Sequence, residues 1–498
     1  MTRPVGGWEL TLSTDLATES SLPVFLRIAR AVADAARSGR LSAGTRLPGS
    51  RELARTLSVH RNTVIATYSE LSAEGLLETS PGRGTYLSST LPEVRPRRWL
   101  HGKPPAAVSR TQAGFPFEPP ASDPHRAEIP PGAFALYGGM PDTRLLPRAA
   151  LARAYRRAIC LRPELLNYGD PLGEPALRAA LADMLRERRG LCVSADEILI
   201  TRGSQMALAL IGKVLVRPGD VVAVEALGYR PAWRALSQGG PILRPVAVDA
   251  EGLCVDELAA LCERERVRAV YVTPHHQYPT TVALSAARRM ALLELARRRH
   301  FAIIEDDYDH EFHYEGRPLL PLASADDAGV VLYVGTLSKV LAPGLRIGFL
   351  VAPAPVRQAA LAARFDVDRQ GDRLGEHALA ELMQDGELQR HLRRMRRVYQ
   401  ARRDHFVGLL REQLGDWLDF VVPPGGMALW VRVSKRLAVD RWLSRAEQLG
   451  VFTQAGQRFT FDGLGRPHVR LGYAAHGERE LSTAVTRLRK AAIEARNK

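Results

Sequence analysis

The chain has 498 residues, and 69 Lys and Arg against 54 Asp and Glu give it a formal net charge of +15. At roughly 100 to 200 residues per domain, this length indicates more than one domain. A content of 46% hydrophobic and 25% charged residues is typical of folded proteins and excludes the disordered, collagen-like and disulfide-scaffold classes. The positive charge makes nucleic acid a candidate partner, because basic side chains displace the counterions of phosphates.

The sequence indicates neither a membrane span nor a cysteine framework. Its apolar runs are shorter than the roughly 18 residues of a membrane helix, so we expect an unanchored, cytoplasmic protein. Cys160, Cys192, Cys254 and Cys262 show no spacing typical of a metal site or of paired disulfides. We expect them to be reduced residues of the core.

Prolines divide the chain into two parts. Ten of them occur between Ser88 and Gly132, in a stretch without helical or strand periodicity. Such a segment favours extended chain and predicts a linker over 88–132. The linker separates a first domain, 1–87, from a second domain, 133–498.

Three helices and a hairpin are predicted in the first domain. The first helix spans 23–38, and the second begins with Ser50 as its cap. The third helix spans 60–74 and ends at Gly75. Its predicted inner face consists of Val64, Ile65, Tyr68 and Leu71, and its predicted outer face of Arg61, Asn62, Thr63 and Thr67. With two short strands joined by the turn at 80–84, this is the plan of a winged helix-turn-helix of the α+β class.

The first turn of the third helix carries side chains that suit DNA. Arg61 can contact guanine and Asn62 can contact adenine in the major groove. Arg83, at the tip of the wing, can approach a second stretch of backbone or a minor groove. Three further residues suit phosphate oxygens, namely Ser50, Arg51 and Thr63. A docking module whose polar residues are merely solvated is the alternative from the pattern alone.

Four motifs of this domain resemble the winged-helix domain of GntR-type bacterial repressors. They are LPGSRELA at 47–54, VHRNTV at 59–64, EGL at 74–76 and GRGT at 82–85. The resemblance covers about 20–88 and implies DNA binding. His60 stands where that family more often has serine, which puts one phosphate contact or one helix cap in question.

The second domain alternates buried strands with amphipathic helices, which predicts an α/β domain with a mainly parallel central sheet. The apolar runs begin at 198, 221, 269, 301 and 330. Ligands of such sheets bind at the carboxyl ends of the strands. After the first run, Ser204 and Gln205 open a helix whose backbone N–H groups suit an anion. After the fourth run, the acidic segment 305–311 suits a hard cation, one carboxylate that pairs with a cationic ring nitrogen, or a plain solvated turn.

The fifth run leads to Lys339. Among the six lysines, it alone follows a buried strand, with hydroxyls at Thr336 and Ser338 before it and Arg346 after it. A lysine in such a place can lose its proton and form an imine with an aldehyde. Pyridoxal 5′-phosphate supplies that aldehyde, and its phosphate matches the hydroxyls, Arg346 and the helix start at Ser204.

Residues 133–475 resemble the fold-type I aminotransferase family, and the whole chain resembles the MocR/GabR branch of the GntR regulators. The resemblance implies that Lys339, in TLSK, binds the cofactor aldehyde and that Arg346, in PGLRIG, binds its phosphate. It also implies that Arg470 binds an effector carboxylate. The implied ring contacts are Asp306 to the ring nitrogen, Tyr308 to the phenolate, and Tyr229 and Tyr278 near the ring, with Asp307 left open as the nitrogen partner.

The same resemblance implies a homodimer that binds a double-stranded DNA operator with two winged helices, and the segment 167–173 is expected to reach the partner's site. Thr281 replaces a usual glycine, which puts that turn in question, and Pro231 makes a γ-aminobutyrate-type effector less expected.

The predicted function is a transcriptional regulator that senses pyridoxal phosphate, or its adduct with a small amine or amino acid, through Lys339. The alternatives are a working aminotransferase with a DNA-binding appendage and a docking module on an inactive fold. No metal site and no membrane contact are expected.

Overall fold

The computed structural model describes residues 22–37, 39–80, 84–89, 115–117, 129–317 and 319–496. The chain divides into two compact units, residues 1–124 and 125–498. The predicted boundaries at 87 and 132 stay predictions.

The first unit contains three helices and one hairpin among its described residues. They are α1 (Val24–Arg37), α2 (Ser50–Thr56), α3 (Arg61–Ala73), β1 (Leu77–Ser80) and β2 (Gly84–Leu87). The two strands pair antiparallel, with Leu77 opposite Leu87. Helix α1 packs on α3, and their apolar faces enclose a small core with Leu53, Val64 and Leu71 fully buried.

The two helix starts in this unit differ from the prediction. Gly49, with extended backbone, is the N-cap of α2, so the prediction that Ser50 caps this helix is wrong: Ser50 already lies in the first turn. Helix α3 is capped by His60, whose Nδ1 accepts a hydrogen bond of 3.2 Å from the backbone N–H of Asn62. The imidazole thus supplies the acceptor that a serine would supply at this position.

Two residues of α3 lie on the opposite face from the one predicted. Thr67 is fully buried and its hydroxyl donates to the carbonyl oxygens of Phe25, at 3.1 Å, and Thr63, at 2.9 Å, whereas Ile65 is 43% exposed. The prediction was therefore wrong for these two residues. A helix buries positions i, i+3, i+4 and i+7, which from Val64 selects 67, 68 and 71.

The second unit is a larger α/β structure. Its helices are α4 (Arg148–Leu161), α5 (Pro175–Arg189), α6 (Ser204–Leu215), α7 (Arg230–Leu236), α8 (Val255–Arg264), α9 (Ala286–Arg299), α10 (Ala354–Phe365), α11 (Arg373–Gln384), α12 (Glu387–Leu414), α13 (Val439–Gln448) and α14 (Glu478–Arg496). Its strands are β3 (Phe134–Ala135), β4 (Ile198–Thr201), β5 (Val221–Glu225), β6 (Ile242–Val246), β7 (Val248–Asp249), β8 (Gly252–Leu253), β9 (Val267–Val272), β10 (Ala302–Asp307), β11 (Val331–Thr336), β12 (Gly348–Val351), β13 (Leu418–Asp419), β14 (Ala428–Val433), β15 (Val451–Phe452), β16 (Gln454–Ala455) and β17 (His468–Gly472).

Within the described ranges, seven strands form the central sheet in the order β4-β12-β11-β10-β9-β5-β6. All neighbours pair in parallel except β12, which runs antiparallel to both β11 and β4. This confirms the predicted mainly parallel sheet. Its strands are buried on both faces, because helices cover each side and apolar residues such as Ile303 and Ile304 point to opposite cores.

A second sheet, β13-β14-β17-β16, places Arg470 on a central strand.

The prediction of core cysteines was wrong. Cys160 and Cys192 are exposed, and Cys254 and Cys262 are half-buried, with no disulfide among them. No helix in the described part of the chain is long and apolar enough to cross a membrane.

Candidate functional site

A pocket opens at the carboxyl ends of β5, β9, β10 and β11. All ten residues predicted to bind the cofactor line it, namely Ser204, Gln205, Tyr229, Tyr278, Asp306, Tyr308, Thr336, Ser338, Lys339 and Arg346. They come from chain segments more than a hundred residues apart, and the parallel sheet brings them together because its strands end at one edge.

Asp306 is the carboxylate that faces the pocket. Its Oδ2 accepts a hydrogen bond of 2.8 Å from the hydroxyl of Tyr271 on the neighbouring strand β9. Its Oδ1 is buried and has no hydrogen-bond partner among the described residues. Burial raises the pKa of Asp306 to about 7, against the opposing effects of the Tyr271 hydroxyl and the Lys339 charge. A cationic N–H at Oδ1 would stabilise the charged carboxylate.

Asp307 points to the other face of β10, since successive side chains of a strand alternate. It accepts a 2.6 Å hydrogen bond from Tyr333 and lies 3.4 Å from Arg189 Nη1. Burial alone would raise the pKa of Asp307, but Arg189 and His310 hold it well below its usual range. Asp307 does not line the pocket, so the geometry separates the two candidates that the sequence left open.

The carboxylates of the acidic segment 305–311 do not meet at one site. Glu305 accepts from the backbone N–H groups of Leu322, at 2.7 Å, and Ala323, at 2.9 Å, while Asp309 lies 2.8 Å from His276 Nδ1. Together with Asp306 and Asp307, these carboxylates therefore have separate partners. This arrangement does not favour the hard-cation alternative.

One end of the pocket suits a phosphate. Helix α6 begins at Ser204, directly after Gly203, whose φ of 80° is a glycine conformation. Its N-terminus, with free backbone N–H groups, lies at the pocket, because Ser204 and Gln205 line it. A Cβ built on Gly203 would lie 3.3 Å from Arg346 Nη1, so the guanidinium passes close to this turn. The hydroxyls of Thr336 and Ser338 line the same pocket. Cationic, hydroxyl and backbone donors together fit a phosphate group.

Arg470 lies beside the pocket, although it is not one of the lining residues. It is 1% exposed, and its guanidinium carbon lies 4.2 Å from the centre of the Tyr278 ring. Within the described chain, its Nε and Nη1 are buried without a hydrogen-bond partner. Because a buried cation without hydrogen bonds is costly, these two nitrogens suit an incoming carboxylate.

The aromatic side chains pack around the same pocket. Tyr229 meets Tyr278 edge to face, with ring centres 5.3 Å apart. The Tyr308 hydroxyl donates a 2.9 Å hydrogen bond to the carbonyl oxygen of His276. Thr281 has a φ of 67°, so the chain keeps a left-handed, glycine-type angle where the sequence has replaced glycine.

The predicted DNA-binding residues lie at the start of α2 and α3. Arg51, Arg61 and Asn62 are exposed, Ser50 and Thr63 are half-buried, and Arg61 Nε donates to Ser50 Oγ at 3.4 Å. Arg83 lies outside the described residues. The exposed polar groups thus project from one end of the helix pair, the arrangement that a recognition helix requires.

Comparisons with known proteins give both units a family. The profile "Bacterial regulatory proteins, gntR family" matches residues 26–87, and the profile "Aminotransferase class I and II" matches residues 137–488. The chain is 33% identical to the probable rhizopine catabolism regulatory protein MocR of Rhizobium meliloti over 91% of this chain and 90% of that protein. The chain belongs to the MocR type of GntR-family regulators. This confirms the predicted resemblance and fold class.

Two further relatives bear on the regulator's pocket. The chain is 33% identical to the pyridoxine biosynthesis transcriptional regulator PdxR of Corynebacterium glutamicum over 76% of each chain. It matches the α-aminoadipate aminotransferase LysN of Thermus thermophilus with a TM-score of 0.68 and 32% identity, over 73% of this chain and 93% of that one. LysN was solved with N-(5′-phosphopyridoxyl)-L-leucine. The aminotransferase fold and this compound indicate pyridoxal phosphate as the regulator's cofactor, as predicted.

Several residues around the regulator's site were missed by the sequence analysis. Tyr271, Thr273 and Gly138 line the pocket, and a Cβ on Gly138 would lie 2.0 Å from Arg470 Nη1. Glu225 lies buried beneath the pocket, where its Oε2 accepts a 2.8 Å hydrogen bond from Thr273. Tyr271 is the penultimate residue of β9, Thr273 directly follows that strand, and Glu225 is the last residue of β5. Their place at the carboxyl ends of buried strands is the signal that could have marked them.

Proposed function

We propose that this regulator binds an operator through α3 and senses pyridoxal phosphate, alone or joined to a small amine or amino acid, through Lys339. The observation that carries the proposal is the convergence of all ten predicted side chains on one pocket, in a chain that also has a GntR-type winged helix. A protein that binds chromosomal DNA would act in the cytoplasm, as the sequence predicts.

Each part of the pocket would hold one part of the cofactor. Pyridoxal phosphate supplies an aldehyde that reacts with primary amines. Lys339 offers such an amine, Asp306 Oδ1 would accept the ring N–H, and Tyr308 would hold the phenolate oxygen. Thr336, Ser338, Arg346 and the N-terminus of α6 would bind the phosphate, while Tyr229 and Tyr278 would flank the ring.

Arg470 would recognise the effector when the effector carries a carboxylate. Its two unsatisfied nitrogens lie behind Tyr278, so a carboxylate there would be close to the cofactor-binding residues. An amino acid is therefore the effector class that this geometry favours. Its binding would alter contacts between the Tyr278 loop and β17, and this differential contact is what would couple the pocket to DNA affinity.

A homodimer is supported by an apolar surface on the second unit. It lies in the segments 161–168 and 365–367, which contribute five large side chains that are more than half exposed, namely Leu161, Leu166, Tyr168, Phe365 and Val367. Arg369 stacks between the rings of Tyr168 and Phe365, so the two segments form one surface. Exposed apolar patches of this kind mark protein interfaces. We expect a second copy of the chain to cover it and the segment 167–173 to reach the partner's pocket.

The replacement Lys339→Ala tests the proposed attachment point. The purified wild-type protein should absorb visible light when loaded with pyridoxal phosphate, and the variant should not. Lys213→Ala on α6 is the matched control, because Lys213 is exposed and pairs weakly with Asp366, at 4.0 Å. If the absorbance persisted in Lys339→Ala, the assignment of Lys339 would be wrong. If the wild type stayed colourless with pyridoxal phosphate, the docking module would be favoured.

A working aminotransferase is the second candidate, because Lys339 and Asp306 line the pocket and Arg470 lies buried beside it. Sustained transfer of an amino group to a keto acid, at roughly 1 to 1,000 turnovers per second, would favour it. A single turnover followed by a stable change in DNA affinity would favour the sensor.

A further inference from the structure

Four histidines, three of them buried and one half-buried, form a cluster beside the pocket, where the Tyr308 hydroxyl bonds to the carbonyl oxygen of His276. They are His275 and His276, in the loop after β9, and His310 and His313, in the segment after β10. The centre of the His275 ring lies 4.5 Å from the ring centre of His276, 4.4 Å from that of His310 and 5.9 Å from that of His313. The two segments are about 35 residues apart in the sequence and meet because β9 and β10 are neighbours in the sheet.

Most ring nitrogens of this cluster lack a hydrogen bond. In the described structure, six of the eight are buried without a hydrogen-bond partner, namely both nitrogens of His275 and of His310, Nε2 of His276 and Nδ1 of His313. His275 is 6% exposed and His276 is 2% exposed. Buried polar groups normally have partners, so several orphaned nitrogens in one place point to a ligand that accepts their lone pairs.

His276 has the environment of a metal ligand. Its Nδ1 lies 2.8 Å from Asp309 Oδ1, and this carboxylate fixes the proton on Nδ1 and leaves a lone pair on Nε2. Metal-binding histidines characteristically make such a bond with their second nitrogen. Beside Nε2 the chain has Gly425, where a Cβ would lie only 2.7 Å from that nitrogen. The glycine thus keeps space open next to the lone pair.

Two of the other histidines, His275 and His313, complete a set of three. One nitrogen each from His275, His276 and His313 lies within 4.8 Å of the others. Two ligands of a tetrahedral zinc ion, each at about 2.1 Å, lie about 3.4 Å apart, so small ring rotations would close the site. His313 is half-buried, and its backbone pairs with that of Gly425, so the two segments that flank His276 Nε2 are held together.

We propose that His275, His276 and His313 bind one divalent transition-metal ion, best matched by zinc, which ties the loop after β9 to the segment after β10. Neutral imidazoles suit zinc, copper and nickel, whereas calcium and magnesium prefer oxygen ligands. The loop that the ion would hold carries Tyr278, and the segment begins beside Tyr308, so metal binding would stiffen one wall of the pocket.

The test is a zinc titration of full-length, untagged protein saturated with pyridoxal phosphate and first stripped of metal by a chelator. Wild-type protein should bind one zinc ion per chain. His275→Gln and His313→Gln should each weaken binding at least tenfold. His405→Gln is the matched control, since His405 lies in α12 and bonds to Ser482 instead of to the cluster, and it should bind zinc like the wild type.

Equal zinc affinity in the wild type and in both cluster variants would overturn the proposal, as would wild-type protein without stoichiometric binding. Cobalt(II) gives a second readout that depends on the wild-type protein alone. The intense visible bands of four-coordinate cobalt are expected, and the weak spectrum of six-coordinate aqueous cobalt would contradict the site. Cofactor absorbance and melting temperature, both measured with chelator present, show whether each variant is folded.

Discussion

The DNA-binding surface and the cofactor pocket place their functional side chains in opposite environments. Arg51, Arg61 and Asn62 are exposed and are specified by a few consecutive residues at two helix starts. Asp306 and Arg470 are almost fully buried, and strands from distant parts of the sequence position them. Replacements on the first surface should therefore change binding without changing stability, whereas replacements behind the pocket should change both.

The largest loss of stability is expected behind the pocket, at Arg189. This buried arginine bonds to Glu311 and Tyr333 and pairs with Asp307, so Arg189→Met would leave two buried carboxylates without their cation. We expect the free energy of unfolding of the second unit to fall by about 3 to 5 kcal/mol in urea titrations. Arg186→Met, which removes an exposed pair with Asp183 in the same helix, should change it by less than about 1 kcal/mol. Similar effects of the two replacements would contradict the buried network.

The next effect concerns pH and the carboxyl groups beneath the pocket. Burial raises the pKa of Glu225 to about 8, from an ordinary value near 4.5. Between these values the folded state holds a proton that the unfolded state has lost, so the stability of the cofactor-free protein should fall as pH rises from about 5 to 8.

This loss should be on the order of 3 kcal/mol, and Glu225→Gln should make the dependence on pH shallower. Urea midpoints measured from pH 5.5 to 8.5 check it. The exposed Glu187→Gln is the control and should keep the wild-type dependence. A stability that rises over this pH range would show that the carboxyl groups beneath the pocket are ionised in the folded protein.

On the DNA-binding surface, Asn62→Ala should weaken operator binding by about 1 to 3 kcal/mol and leave the melting temperature unchanged. The cap of α3 is kept, because His60 accepts from the backbone N–H of residue 62. Fluorescence anisotropy at fixed salt, with a sequence selected by the wild type from random DNA, measures the loss. Ser69→Ala, exposed in the second half of α3, should bind like the wild type. A similar loss in both variants would contradict the predicted reading helix.

The smallest effect concerns the ends of α2 and α3, which have the same hydrogen bonds. In each, the backbone N–H of the second residue after the C-cap donates to the carbonyl oxygen five residues earlier, from Val59 to Ala54 and from Leu76 to Leu71. The left-handed residue is Gly75 after α3 but Ser58, with φ 53°, after α2. Ser58→Gly should stabilise the first unit by about 0.5 to 1 kcal/mol, and Gly75→Ser should destabilise it by a similar amount. Thermal melts of the two variants check this, and changes of equal sign would contradict it.

Local patterns predicted the first unit well, since caps, turns and helix periodicity are written in neighbouring residues. The error at Ser50 is a shift of one residue. Ile65 and Thr67 exchange faces, because apolar Ile65 stands next to Val64 while the buried i+3 position holds a threonine. The sequence also identified the pocket through the scarcity of lysine, which made Lys339 stand out.

What the sequence could not supply is the partner of each buried group. Asp306 and Asp307 are adjacent, and only the packing of β10 between β9 and β11 decides which one faces the pocket. Tyr271 and the histidine cluster depend in the same way on the order of strands. The acidic residues at 305–311 suggested a metal, yet the orphaned nitrogens belong to histidines of two different segments.

The central claim is that occupancy of the pocket at Lys339 sets DNA affinity. The most direct measurement is operator affinity across a titration of pyridoxal phosphate, with and without a panel of amino acids, for wild type and Lys339→Ala. Coupling of about 1 to 3 kcal/mol predicts that the wild-type affinity changes at least fivefold and that Lys339→Ala shows no change. A wild-type affinity that ignores every ligand, or a variant that responds like the wild type, would contradict the account.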